Sequence, residues 1–239
     1  MMKKRITCLL CAISLFLCGC WEEPAKPTEE TTEFTIPTLN ETQTPDDILR
    51  SAADLTKGLD AFFVDYVRIM DQERFALSAQ VEIKDGYCAA QTLQGSFTED
   101  GTIENPVYRY YQDTLCFEKK EEQVQQLSSE SPYTLLQILE EIPPIPHGMT
   151  DRFSGRPLHA IPSEDGTMCF QLSDLKASEF EAITGMACEE GGSTVALTVA
   201  KEGYLSGITF TAPNIQMTLT VRQATEDEPL IRPDWIGEN

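Results

Sequence analysis

Basic side chains are scarce in this sequence. It has 18 lysines and arginines against 39 aspartates and glutamates, so its formal net charge is −21. A surface with this balance repels phosphate backbones and anionic lipid headgroups. Nucleic-acid binding and peripheral docking through a basic patch are therefore excluded as functions. The acidic surface is instead expected to keep the protein soluble.

Catalytic and phosphate-binding motifs are also missing. The chain contains no G-x-S-x-G, no H-E-x-x-H, no EF-hand spacing and no phosphate-cradling glycine loop. Its only histidines, His147 and His159, stand in a proline-rich segment. The acid pairs at 140–141 and 189–190 are adjacent in sequence, so the two side chains of each pair point in different directions. We predict a non-enzymatic protein with no catalytic residues, no cofactor and no metal site.

The chain opens with a short secretion signal. Three basic residues precede an apolar stretch of about twelve residues from Ile6 to Leu17, whereas a membrane-spanning helix needs about twenty. The sequence that follows, Leu17-Cys18-Gly19-Cys20, resembles the lipobox of bacterial lipoproteins.

The lipobox resemblance implies cleavage before Cys20 and acylation of its thiol, usually with a third acyl chain on the new N-terminus. Two or three acyl chains hold a protein stably on a bilayer. We therefore expect a lipid-anchored protein on the extracytoplasmic face of the cell membrane. Loss of three basic residues with the signal leaves 15 basic against 39 acidic side chains, a net charge near −24. The alternative is an ordinary secretion signal that contains cysteines.

Composition divides the chain into four segments. Residues 1–19 form the signal peptide, and residues 20–44 form the acylated cysteine and a flexible tether rich in Thr, Glu and Pro. Residues 45–224 are predicted to form one globular domain, and residues 225–239 an acidic C-terminal tail.

Apolar periodicity within the domain predicts an α+β fold. Steps of three and four predict an amphipathic helix over 46–70, whose apolar face includes Leu55, Leu59, Phe62 and Tyr66. Strict alternation then predicts a strand over 75–83, followed by three more strands of an antiparallel meander to residue 118. A helix over 133–142, a strand near 168–172, a short helix ending at Gly185 and three closing strands to residue 222 follow.

This order of elements resembles the LolA-like lipoprotein carriers and related lipid-carrier lipoproteins. The match rests on the helix after the tether, the strand Phe75–Ile83 behind it, the helix Tyr133–Ile142 and the closing strands Val195-Ala-Leu-Thr-Val, Tyr204-Leu-Ser-Gly-Ile-Thr-Phe and Gln216-Met-Thr-Leu-Thr-Val. The resemblance implies a curved antiparallel half-barrel with the N-terminal helix and two shorter helices on its concave side. It also implies binding of a hydrophobic ligand or of an envelope partner.

The apolar face of the predicted 46–70 helix has two interpretations. Leu55, Leu59, Phe62 and Tyr66 either pack on the sheet and complete its core, or line a groove that accepts an acyl chain. In the first case the protein is a structural or interaction module of an envelope complex, without a ligand cavity. In the second case it carries a hydrophobic ligand.

The cysteines beyond residue 20 have no C-x-x-C spacing, which argues against a zinc site or a thioredoxin-like motif. In the predicted meander the strands of Cys88 and Cys116 are about 9.6 Å apart, too far for a bridge. If the fourth and fifth strands are neighbours, Cys116 and Cys169 are the expected disulfide, which an extracytoplasmic location permits. The alternative is four free thiols at Cys88, Cys116, Cys169 and Cys188.

Overall fold

The computed structural model describes residues 44–84, 87–139, 152–153 and 155–237. Its helices are α1 (Pro45–Lys57), α2 (Leu135–Ile138) and α3 (Ala177–Thr184). Its strands are β1 (Ala61–Met70), β2 (Glu73–Lys84), β3 (Tyr87–Phe97), β4 (Ile103–Gln112), β5 (Leu115–Lys120), β6 (Gln123–Ser128), β7 (His159–Pro162), β8 (Met168–Leu175), β9 (Ser193–Val199), β10 (Leu205–Ala212) and β11 (Ile215–Gln223). A chain that begins at Trp21 therefore keeps every residue of the described fold.

All eleven strands belong to one antiparallel sheet, in the order β6-β5-β4-β3-β2-β1-β11-β10-β9-β8-β7. Sequential hairpins build each half, and the pairing of β1 with β11 joins the two halves at the centre, where Val64 lies opposite Val221. The described sheet is open, because β6 and β7 stand at the two ends of this order. The expected α+β class with a large antiparallel sheet is confirmed.

The predicted helix over 46–70 is wrong in its second half. Helix α1 begins at the capping residue Thr44, ends at Lys57 beside Gly58, and is followed by strand β1. Phe62 and Tyr66 are four residues apart, a spacing that also places them on one side of a strand, because strand side chains alternate. The run of aromatic and β-branched residues from Phe62 to Val67 then favours the strand.

Several other predicted elements are confirmed. The alternating strand over 75–83 is β2, and the closing strands are β9, β10 and β11. Helix α3 ends at Thr184 and is capped by Gly185, whose φ of 76° suits glycine. The predicted helix over 133–142 corresponds to a single described turn, α2, and its second half lies outside the described residues. The signal, Cys20, the tether to residue 43, the Asp85-Gly86 turn, and His147 also lie outside them.

The two sides of the sheet differ in what covers them. We call the side that carries Val64, Leu77 and Phe210 the inner face, and the opposite side the outer face. Apolar residues of all three helices join the core cluster on the inner face; for example, the ring of Phe180 on α3 meets that of Phe210 edge-on at 6.1 Å. Helix α1 contacts mainly β10, α2 contacts β3, and α3 contacts β8 and β9.

The C-terminal residues 224–237 pack on the outer face instead of forming a separate tail. Ile236 is buried against Tyr110 and Phe117, with Trp235 and Leu230 beside them. The guanidinium of Arg222 lies 4.2 Å from the ring centroid of Phe63 and binds the Glu228 carboxylate at 2.7 Å. The predicted domain boundary at 224 is therefore wrong, since the domain extends to residue 237.

Candidate functional site

The structure separates the four residues predicted to line a groove. Phe62 and Tyr66 lie on the inner face of β1 and are buried, and Leu59, in the connection after α1, is buried in the same core. Leu55 on α1 is 51% exposed, and its Cδ1 lies next to Gly203 in the β9–β10 turn. Three of the four residues therefore belong to the inner-face core, and Leu55 does not.

Helix α1 is fixed to the start of β10 by its side chains. Leu49 and Ala52 are fully buried, and the hydroxyl of Thr56 accepts a hydrogen bond from the Leu205 backbone N–H at 2.8 Å. At the other end of the helix, the Asp46 carboxylate accepts from the backbone N–H of Gly155 at 3.1 Å. These contacts place α1 along one border of the central strands.

An apolar surface occupies the inner face between the strands that carry α1 and α2. Three strands, β11, β1 and β2, separate β10 from β3, so these two strands are about 19 Å apart along the sheet. We call the inner-facing apolar residues of these three strands the apolar surface. They are Phe62, Val64, Tyr66, Met70, Phe75, Leu77, Ala79, Val81, Ile83, Ile215, Met217, Leu219 and Val221.

In one row of the inner face, polar residues replace apolar ones from β3 to β6. One register row runs from Val64 through Ala79 on β2 to Thr92, Arg109, Glu118 and Gln125 on the next four strands. Lys120 on β5 lies in the neighbouring row. We call Thr92, Arg109, Glu118, Lys120 and Gln125 the inner polar patch.

The Glu118 carboxylate is the centre of this patch. It accepts hydrogen bonds from Arg109 Nε at 2.8 Å, Lys120 Nζ at 2.9 Å and Gln125 Nε2 at 2.6 Å. Burial of its side chain, which is 4% exposed, opposes ionisation, but the three donors overcome this effect and lower the pKa of Glu118 to about 2. The carboxylate is therefore ionised at neutral pH and is paired with two cationic side chains.

Thr92 is the least satisfied polar residue of the patch. It is 1% exposed, and its hydroxyl has no hydrogen-bond partner among the described residues. Its register partners are Ala79 on the apolar side and Arg109 on the polar side. Thr92 therefore marks the boundary between the apolar surface and the inner polar patch.

Next to this patch, the ring of Tyr111 on β4 meets the ring of Tyr133 edge-on, with 5.1 Å between the ring centroids.

The expected disulfide between Cys116 and Cys169 is wrong. Strands β5 and β8 are eight positions apart in the sheet, and Cys116 faces inward whereas Cys169 faces outward. No disulfide joins the four described cysteines, Cys88, Cys116, Cys169 and Cys188. Burial raises the pKa of the Cys88 thiol to about 11, so Cys88 is protonated at neutral pH.

The alternation of β3 and β5 does not by itself identify the inner polar patch. Alternation places Leu93 and Phe117 on one side and Thr92 and Glu118 on the other, and the apolar set is the natural choice for the core. In the structure Phe117 lies on the outer face beneath the C-terminal residues, so both sides of this part of the sheet are covered.

No protein-family model matches this chain, and no curated protein sequence matches it. Its structure is similar to that of LprF from Mycobacterium bovis, with a TM-score of 0.46 and 14% identity, over 80% of this chain and 97% of that one. It is also similar to the Mycobacterium tuberculosis lipoprotein LppX, with a TM-score of 0.43 and 16% identity, over 78% of this chain and 96% of that one.

Two further observations concern only the described residues. No helix there is both long and apolar enough to cross a membrane. Histidine, cysteine, aspartate and glutamate side chains form no group of three or more there that is able to hold a metal ion.

Proposed function

We propose that this protein is a lipid-anchored lipoprotein of the extracytoplasmic membrane face that binds a hydrophobic ligand on its inner sheet face. Support for the anchor comes from the sequence Leu17-Cys18-Gly19-Cys20 behind a basic and apolar leader. A chain of net charge −21 has no basic surface that would hold it on anionic lipids. Acylation of Cys20 would supply the membrane attachment instead.

The apolar surface is the observation that carries the ligand-binding part of this proposal. Helices α1 and α2 contact β10 and β3, two strands about 19 Å apart along the sheet, and the apolar surface lies between these strands. An apolar floor with few polar groups is typical of sites for such ligands.

The anchor is tested with a Cys20→Ser variant in the producing cell. We expect the wild-type chain to incorporate labelled palmitate and to sediment with membranes. We expect the variant to lose the label and to escape processing before residue 20. Equal labelling and equal processing of both chains would refute acylation at Cys20.

A second function is favoured by the tight packing of the same surface. Val64, Leu77 and Val81 are at most 3% exposed in the chain without any ligand. A structural or interaction module of an envelope complex requires no ligand cavity, so its own side chains can fill the inner face. The partner of such a module would bind elsewhere on the protein.

An Ala79→Leu variant separates the two functions, with Ala76→Leu on the outer face of the same strand as its control. If the apolar surface holds a ligand, the larger side chain takes ligand space, so bound lipid falls while stability changes little. If the face is filled, the extra carbons overpack it and lower the free energy of unfolding by about 1–3 kcal/mol. Native mass spectrometry of the chain from Trp21 and urea unfolding measure the two quantities.

A further inference from the structure

Strand β6 is an open edge of the described sheet. It stands at one end of the strand order, and all six of its side chains are exposed, including the apolar Val124 and Leu127. An unpaired strand edge is a template for another strand, and natural proteins protect such edges with charges, proline, bulges or short length. The opposite edge, β7, has only four residues and contains Pro162. β6 has six residues without a charge or a proline, and it pairs with β5 without a register shift, so it lacks these protections.

The hydrogen bonds of the β5–β6 hairpin fix which backbone groups of β6 point away from the sheet. Just beyond β6, the Ser129 N–H donates to the Thr114 carbonyl at 2.8 Å. Hydrogen-bonded and non-hydrogen-bonded pairs alternate in an antiparallel ladder, so every second residue back from Ser129 also bonds to β5. The residues between them direct their N–H and C=O groups to the open edge, and these are Val124, Gln126 and Ser128. An added antiparallel strand would form about six hydrogen bonds with these residues.

Acidic residues flank both ends of this uncharged edge. Glu121 and Glu122 form the turn before β6, Glu130 follows the strand, and all three are exposed. Lys119 and Lys120 lie on β5, one strand further from the open edge, and the second of them is already paired within the inner polar patch. The ends of the edge are therefore acidic, and its centre is uncharged.

The charges at the two ends argue against a second copy of this chain as the added strand. Two copies of β6 would form the most hydrogen bonds in the antiparallel register centred on Gln126, where all three outward-bonding residues are paired. That register places Glu122 of each copy opposite Glu130 of the other copy. Like charges directly opposite each other are destabilising, and each copy also carries a net charge of −21. The complementary occupant is a strand with basic ends.

We propose that β6 is a docking edge for an extended segment of a partner protein, which adds to the sheet as a strand and carries basic residues on both sides of an uncharged centre. The centre spans about five residues, opposite 124–128, and its backbone supplies the main hydrogen bonds. Val124 is on the outer face and Leu127 on the inner face, so β-branched side chains opposite them would cover both. This interface goes beyond the proposed function, and it does not depend on whether the apolar surface holds a ligand.

The test uses the synthetic peptide Lys-Lys-Thr-Val-Thr-Thr-Val-Lys-Lys, labelled with fluorescein. Antiparallel to β6, it places valines opposite Leu127 and Val124, and its terminal lysines lie opposite Glu130 and Glu122. Its matched control has proline in place of the central threonine, which keeps the charge of the peptide but removes the N–H that would bond to Gln126. Fluorescence anisotropy measures binding of both peptides to the chain from Trp21. We expect the control peptide to bind at least about tenfold more weakly, which corresponds to about 1.4 kcal/mol.

Variants of the protein locate the binding at β6. Gln126→Pro removes an N–H that points away from β5, so the β5–β6 hairpin keeps its bonds, and we expect peptide binding to weaken at least about tenfold. The double variant Glu122→Lys/Glu130→Lys should bind the basic peptide at least about fivefold more weakly and should prefer Glu-Glu-Thr-Val-Thr-Thr-Val-Glu-Glu. Glu189→Lys/Glu190→Lys is its control, because it changes the net charge equally at exposed residues before β9. Its affinity should stay within about twofold of wild type.

Four outcomes would overturn the inference. The first is that the basic peptide does not bind, and the second is that its proline control binds equally, since attraction by net charge alone then explains the binding. The third is that Glu122→Lys/Glu130→Lys, on exposed residues outside the strand, binds the basic peptide as its control does. The fourth is a wild-type dimer in sedimentation equilibrium that Gln126→Pro abolishes with an unchanged urea midpoint, because β6 then pairs with a second copy.

Discussion

Replacement of Glu118 by glutamine tests the electrostatics of the inner polar patch. The amide keeps the shape of the side chain but removes the charge that Arg109 and Lys120 share. Arg109, which is itself mostly buried, then loses its ion pair with Glu118. Loss of one member of a buried ion pair is strongly destabilising, because it leaves the other charge without compensation.

The lowered pKa of Glu118 sets the size of this effect. A fall from the ordinary 4.5 to about 2 corresponds to about 3 kcal/mol, at about 1.36 kcal/mol per pKa unit. This agrees with the range of about 3–5 kcal/mol for a broken buried pair. For a domain of this size we expect the melting temperature to fall by about 6–12 °C.

The assay is urea unfolding of the chain from Trp21, followed by far-ultraviolet circular dichroism. Glu122→Gln is the matched control, since Glu122 is exposed in the turn between β5 and β6 and its loss should change the free energy of unfolding by less than about 0.5 kcal/mol. A Glu118→Gln variant within the same 0.5 kcal/mol of wild type would refute the assignment of a buried, charge-balanced carboxylate.

The pH dependence of the same variant supplies an independent check. Because the pKa of Glu118 is lowered in the folded state, its stabilising contribution is complete above about pH 4.5 and is lost as the pH falls towards about 2. The stability difference between wild type and Glu118→Gln should therefore shrink across that range. Hydrogen bonds from Arg222 also lower the pKa of Glu228 to about 2, but Glu228 is present in both proteins and cancels from the difference.

Two further predictions concern the outer face and the thiols. Ile236→Ala should lower the free energy of unfolding by about 2 kcal/mol, because it removes buried contacts with Tyr110 and Phe117. Its control, Ile231→Ala, changes a residue that is 69% exposed and should be nearly neutral. Equal urea midpoints for the two variants would contradict docking of the C-terminal residues. In the chain from Trp21, a thiol reagent at pH 8 should react with Cys188 well before the buried Cys88, whose pKa is raised to about 11. Unfolding should expose four reactive thiols, and a count below four would contradict the absence of a disulfide.

Local alternation was sufficient to predict the strands that have one apolar and one polar side. β2, β9, β10 and β11 show this pattern, and the structure buries their apolar residues on the inner face. β6 was missed because its six residues are exposed and largely polar, and only its backbone pairing with β5 makes it a strand. β1 was missed because the spacing of Phe62 and Tyr66 fits a helix as well as a strand.

The inner polar patch was not predictable from the sequence for a different reason. In β3 and β5 the core side carries Thr92 and Glu118, and the outer side carries Leu93 and Phe117. Alternation identifies the two sides of a strand but not which side faces the core when both are covered. On the outer face, Phe117 packs against Ile236, a residue about 120 positions later in the chain. No local sequence pattern predicts that contact.

The acidic character of the chain, the lipobox resemblance at Cys20 and the antiparallel strands of the α+β domain follow from composition and short-range periodicity. The fold is needed to know which cysteines are far apart, where the C-terminal residues pack, and that Arg109, Glu118 and Thr92 lie together beside the apolar surface. These features depend on strand order and register, which arise from contacts between residues far apart in the chain.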